Sequence, residues 1–201
     1  KRLRVGYESK YVKVTNLIGA KQMVEQLPNM AREEFFTIVY NFIDTLSHAR
    51  TDSKIVRELA ENEAAYRALT SSWFDHSPLL DAIKYLSSKK VKLVITTDHG
   101  SVKVDNAVKI VGDKDTTTNL RYKTGKRMTY DPKEVFEIAK PIDALLPTQH
   151  VSSRFVFSKE NDFFVYPNNL NHYAKYYKDT FQHGGISMEE MLIPLIVLEP
   201  K

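Results

Sequence analysis

Two apolar runs rich in branched and aromatic side chains, Phe35–Tyr40 and residues 92–97, flank a stretch with helical spacing. Strands separated by helices constrain the fold strongly, because a parallel neighbour needs a long crossover, usually an α-helix. Between the two runs, residues 52–69 place Ile55, Val56, Leu59, Ala60 and Tyr66 on one helical face, with Asp52 or Ser53 as the cap. Ser77-Pro78 opens a second helix through Leu86, with Leu79, Ile83 and Leu86 as its stripe. Residues 11–15 alternate like an upstream strand, and residues 192–198, interrupted by Pro194, read as a final one. The expected class is α/β, with a mixed, largely parallel sheet flanked by helices.

Beyond Gly100 the pattern changes. Residues 102–104 and 107–111 alternate around Asp105-Asn106 and predict a hairpin, and residues 155–157 and 163–166 predict another, turned at Glu160-Asn161-Asp162. Residues 115–127 are polar and basic and read as a long loop. Asp131-Pro132 predicts the start of a short helix to Ala139. The organisation expected is an incoming strand and connecting segment over 1–34, then the main domain over 35–201. That domain carries a hairpin-rich insertion around 102–166.

The 201 residues include no cysteine, so disulfides and thiolate metal sites are excluded, and any metal must rest on Asp, Glu and His. A net charge of +4 permits an anionic substrate without demanding a nucleic acid. No apolar run approaches a membrane span and no signal-peptide pattern is present, so a soluble cytoplasmic protein with no membrane partner is expected. Lys1-Arg2-Leu3-Arg4 lacks an initiator Met and reads as a cut within a larger protein.

Three segments carry chemistry. Asp44 follows the first strand and His48 lies four residues on, so one helical turn brings both to the same face. The competing reading is a helix cap and a surface histidine. Asp98-His99-Gly100 ends the second strand, where open α/β sheets assemble their sites. A carboxylate there needs a partner, and Gly100 lets the backbone turn sharply; an ordinary turn with an incidental histidine is the alternative. His183-Gly184-Gly185 suits a tight turn close to a ligand, while Ser187 and Glu190 form a capping-box pattern that starts a helical turn. Two Asp and three His match the donors of two borderline-hard ions such as zinc, and a pair about 4 Å apart suits phosphoryl transfer. His76, His150 and His172 read as a helix-start, a loop and a surface-helix residue. Lys123, Lys126 and Arg127 are candidates to attract phosphate, with a solvated loop as the other reading. Tyr173, Tyr176 and Tyr177 have helical spacing and read as packing residues.

The order Asn41-x-x-Asp44-x-x-x-His48, then Thr96-x-Asp98-His99-Gly100, then His183-Gly184-Gly185-x-Ser187-x-Glu189-Glu190 resembles the alkaline phosphatase superfamily, and within it the PglZ-type domain, over about residues 35–198. Residues 96–136 also resemble the C-terminal effector domain of PorX-type two-component response regulators. The resemblance implies that Asp44, His48 and His183 hold one zinc ion and that Asp98 and His99 hold the second, with manganese as the alternative metal. It also implies a Ser or Thr nucleophile and a further metal-binding Asp near the domain's N-terminus. No strand end of that kind precedes Phe35, so no catalytic nucleophile is assigned within this chain, which is expected to be the C-terminal part of such a domain. The implied substrate is a phosphorylated small molecule or an oligonucleotide. The implied partners are an upstream receiver domain and a sensor kinase, in control of transcription or secretion, and homodimerisation is left open. The alternative is a non-catalytic, zinc-stabilised regulatory module that binds a protein partner.

Overall fold

The computed structural model describes residues 9–148, 150 and 152–200, so residues 1–8 of the expected incoming segment, including Lys1-Arg2-Leu3-Arg4, lie outside the described residues. The chain divides into two compact units, Lys1–Ile95 with Ile196–Lys201, and Thr96–Leu195.

In the first unit, β1 (Ser9–Val14) is followed by α1 (Leu17–Met30) and β2 (Phe35–Tyr40), and the two strands pair in parallel from Ser9 opposite Phe35 to Val14 opposite Tyr40. Asn16 starts α1 by accepting the Gly19 N–H at 2.8 Å, and Ala20, Met23, Leu27 and Met30 form its buried stripe. This helix falls in the stretch that the sequence assigned only to a strand and a connection. Next come α2 (Phe42–Asp52), α3 (Lys54–Leu59), α4 (Glu63–Asp75), α5 (Pro78–Ser87) and β3 (Leu93–Thr96). Val14, Ala20, Met23, Leu27, Ala82 and Leu86 form the core, with Phe36, Ile38 and Tyr40 packed against it. That core joins α1 and α5 to the sheet.

The single helix expected over 52–69 is two. Asp52 belongs to the end of α2, and Ser53 caps α3 by accepting the Val56 N–H at 3.4 Å. The interruption falls at Ala60, whose φ of −119° and ψ of 47° leave the helical region. Arg50, which is buried, holds it there: its Nε donates to the Ala60 carbonyl at 2.6 Å and its Nη2 to the Glu61 carbonyl at 3.1 Å. Asn62 then restarts the helix by accepting the Ala65 N–H at 2.9 Å. The helix expected at Ser77-Pro78 forms, with Ser77 as its cap. The strand at residues 92–97, expected to be buried, is half-exposed, with Val94 49% accessible. It pairs with the last strand, Leu195–Leu198, whose residues are all exposed.

The second unit is built from β4 (Val102–Lys103), β5 (Asn106–Lys109), β6 (Val111–Gly112), β7 (Tyr122–Gly125), β8 (Met128–Thr129), β9 (Val135–Ile138), a 3-10 turn (Pro141–Ala144), β10 (Arg154–Ser158), β11 (Asp162–Val165), α6 (Leu170–Tyr177), β12 (Phe181–Gln182) and α7 (Met188–Met191). Neither expected hairpin forms. β4 pairs antiparallel with β12, and β5 pairs in parallel with β11, whose Phe163, Phe164 and Val165 are buried on both faces. β10 pairs antiparallel with β7 and with β9. The loop expected at 115–127 therefore contains a strand, because Tyr122 stacks on Phe155 across that pairing and Lys123 turns inward. The helix expected from Asp131 to Ala139 is replaced by a turn and then β9, whose Val135 is buried in a core with Val108, Ile110, Val156 and Phe164. β6 and β8 also pair antiparallel. The chain is thus α/β in content, but its described strands form several small sheets rather than one largely parallel sheet. Among the described residues no helix is long and apolar enough to cross a membrane.

Candidate functional site

The first unit presents Asp44 and His48 on the opening turns of α2. Asp44 sits in the first turn, where the exposed N–H groups of a helix favour a negative charge, and Asn41 Nδ2 donates to its Oδ2 at 3.3 Å. One turn on, His48 Nε2 lies 3.5 Å from Asp44 Oδ1, with the imidazole largely open to solvent. The i,i+4 geometry read from the sequence is present. Below this face, Tyr66 ties α4 to α2 through its hydroxyl, which meets Ser47 Oγ at 2.7 Å and donates to the Ile43 carbonyl at 3.1 Å. Burial pushes the Tyr66 phenol above its ordinary range.

The second unit brings together the other two segments. Asp98 and His99 follow the end of β3, with Asp98 Oδ1 3.7 Å from His99 Nε2 and the carboxylate almost fully exposed. His99 and His183 stack ring on ring, with centroids 3.8 Å apart and planes 10° apart. His99 Nδ1 lies 2.9 Å from the Gly100 carbonyl, which can only accept, so that nitrogen carries the proton. Nε2 is thereby turned to the Asp98 side, and it is through such a nitrogen lone pair that imidazole binds a divalent cation. Thr97 Oγ1 donates to the His99 carbonyl at 3.1 Å, and Thr96 Oγ1 to the Pro194 carbonyl at 2.7 Å. Both hydroxyls are engaged with backbone.

Glu190 and Arg121 underlie these loops. The Arg121 guanidinium grips the Glu190 carboxylate at 3.0 Å (Nε to Oε1) and 2.9 Å (Nη2 to Oε2), with both side chains fully buried. The expected helical turn at Ser187 and Glu190 forms as α7, and the Ser187 N–H donates to Glu190 Oε2 at 3.2 Å. Burial acts to raise the Glu190 pKa, but hydrogen bonds from Arg121, Gly185 and Ser187 outweigh it and hold the carboxyl below its usual range. Arg121 was not singled out from the sequence, since it lies in a stretch that reads as loop and its partner is 69 residues away.

Lys123 is not on a solvated loop. It is 1% accessible, its ammonium sits 4.6 Å from the centre of the Tyr166 ring, and burial lowers its pKa from 10.5 to about 8. A buried amine is a poor attractor of phosphate from solution, in contrast to Lys126 and Arg127, which are exposed at the turn between β7 and β8. His76 follows the end of α4, with Nδ1 2.9 Å from the Ser72 carbonyl, and directly precedes Ser77, the cap of α5, so it lies beside a helix start as the sequence suggests. His172 is exposed on α6 with its ring against Tyr173 and Tyr176, and Tyr173 stacks on Tyr177, which packs edge-on against the buried Phe163. His150 lies in the loop before β10. Within either unit, among the described residues, no three His, Asp or Glu side chains gather around one point.

The described residues thus place a carboxylate–imidazole pair at a helix start, another at a strand end, and a histidine in a glycine-rich loop. Residues 4–198 match the family model of the BREX system PglZ alkaline phosphatase-like domain, and the chain belongs to that family. No curated protein matches the chain.

Proposed function

We propose that this domain hydrolyses a phosphoester or phosphodiester with two zinc ions, one held by Asp44, His48 and His183 and the other by Asp98 and His99, with manganese as the alternative. The observation that carries the reading is the His99 ring, whose Nδ1–H is committed to the Gly100 carbonyl so that Nε2 faces the Asp98 carboxylate. Nitrogen and carboxylate oxygen donors of this kind suit borderline-hard divalent cations. When bound, such cations supply Lewis acidity toward a phosphoryl oxygen. Asp44, His48 and Asp98 stay accessible to a ligand, and the exposed Lys126 and Arg127 supply positive charge for an anionic substrate, a phosphorylated small molecule or an oligonucleotide. The resemblance to PorX-type effector domains supports a role in a cytoplasmic two-component system, downstream of a receiver domain and a sensor kinase, with a homodimer compatible. The exposed apolar strand Leu195–Leu198 favours one competing reading, a zinc-stabilised module that docks a protein partner without catalysis.

Elemental analysis of the wild type, His48→Ala and His183→Ala, with metal-dependent turnover of bis(4-nitrophenyl) phosphate, tests the proposal. Bound metal is expected to fall in each variant, because three protein ligands are the usual complement of a catalytic zinc, and turnover is expected where the implied Ser or Thr nucleophile is present. Unchanged metal in His183→Ala overturns the ligand assignment. Bound metal without turnover of any aryl phosphate, in a protein that also carries the implied Ser or Thr nucleophile, favours the regulatory module.

A further inference from the structure

A helix cap needs a single acceptor, yet Glu190 takes four donors. Besides the two bonds from Arg121, its Oε1 accepts the Gly185 N–H at 2.8 Å and its Oε2 the Ser187 N–H at 3.2 Å. Its backbone carbonyl accepts the Gly100 N–H at 2.9 Å. One residue therefore binds the position after His99 and the position two beyond His183. Arg121 extends the grip. Its backbone N–H donates to Asn119 Oδ1 at 2.7 Å, and Asn119 Nδ2 reaches the His183 carbonyl at 3.4 Å. Two further guanidinium N–H groups are anchored on the Asp162 and Glu160 carbonyls, so the fork cannot swing.

The glycines register how tightly the loops close on this pair. A Cβ at Gly185 would lie 2.5 Å from Glu190 Oε2 and 3.1 Å from Arg121 Nε, and one at Gly100 would collide with the Glu189 carbonyl. Gly184 has a φ of +101°, and a Cβ there would lie 2.8 Å from Asn119 Nδ2. The sequence motif places glycine where the clamp leaves no room.

We propose that the buried Arg121–Glu190 ion pair is a positioning element: it locks the two histidine loops to each other and so holds His99 against His183 in the geometry their metal binding requires. This rests on reading those histidines as metal ligands. Partners of this outer kind set ligand orientation, and their loss typically lowers metal affinity about 10- to 100-fold.

The test uses the double variant Arg121→Met/Glu190→Leu, because replacing both members of a buried ion pair by apolar residues is commonly tolerated whereas removing one strands a charge. In metal-free protein, the ring C–H resonances of His99 and His183 report the stack, since each ring lies in the other's ring current. The expected result is a cooperatively folded variant whose two histidines lose their stacking shifts and whose zinc affinity, from competition titration, falls about 10- to 100-fold. A folded double variant that keeps both the shifts and the affinity overturns the proposal. Gly100→Ala, which displaces the Glu189–Glu190 backbone without removing a charge, provides the same measurement if the double variant does not fold, and retained shifts and affinity there overturn it equally. If the wild type binds neither zinc nor manganese, the hydrolase reading fails, and the ring resonances still decide whether the pair positions the histidines.

Discussion

Replacing Lys123 by methionine is expected to stabilise the second unit, and to do so in a pH-dependent way. The ammonium is fully buried on β7 and faces the Tyr166 ring. Burial lowers its pKa from 10.5, the value it regains on unfolding, to about 8. The unfolded chain therefore holds the proton more tightly than the folded one. The penalty on folding is fully present below pH 8 and is relieved as pH rises from about 8 toward 10.5. A gap of about 2.5 pH units corresponds to about 3 kcal/mol, which the attraction of the cation to the ring offsets by about 0.5–2 kcal/mol. Methionine fills nearly the same volume and keeps a sulfur–aromatic contact. At pH 7 the variant should gain about 1–3 kcal/mol, and the gain should shrink steadily between pH 8 and 9.5. Urea unfolding followed by far-ultraviolet circular dichroism at half-unit pH steps measures both. Burial also raises the Tyr166 phenol above its ordinary value of 10.0, so it does not titrate in that interval. Parallel pH profiles for the two proteins, or a variant less stable than the wild type at pH 7, would refute the reasoning.

Asn62→Ala removes the acceptor that restarts the helix at α4 and should lower the stability of the first unit by about 1 kcal/mol, read as a lower urea midpoint at unchanged slope. Gly184→Ala forces a side chain into a left-handed backbone against Asn119 and should cost about 1–3 kcal/mol, measured as a fall in the unfolding midpoint of the second unit. An unchanged midpoint would show that the loop relaxes at no cost.

What the sequence discloses here is what depends on neighbours along the chain. Asp44 and His48 are one helical turn apart, and Ser77-Pro78 and Ser187-x-x-Glu190 are local caps, so spacing alone finds them. α1 escaped because Gly19 sits in its first turn and Pro28 in its last, which blur an otherwise regular stripe of Ala20, Met23, Leu27 and Met30. The strands of the second unit escaped for a different reason. β4 finds its partner near Phe181 and β5 finds its partner at Asp162–Val165, and adjacent alternating runs look like hairpins when the true partners are remote. Lys123 looked like a loop residue because its chemistry is polar, whereas its burial is decided by Tyr166 and by pairing with Val156. The Arg121–Glu190 pair joins two segments that share no local pattern.

The break between α3 and α4 is specified from elsewhere in the chain. Its cause is a planar fork on Arg50 that claims two consecutive carbonyls, Ala60 and Glu61, before either can accept a helical N–H. Strong helix formers placed at the break would leave those acceptors claimed and the two helices separate. A lysine at position 50 offers a point donor on a flexible stem and cannot span both oxygens. The bend is written in one side chain ten residues upstream, and a substitution usually counted as conservative would erase it.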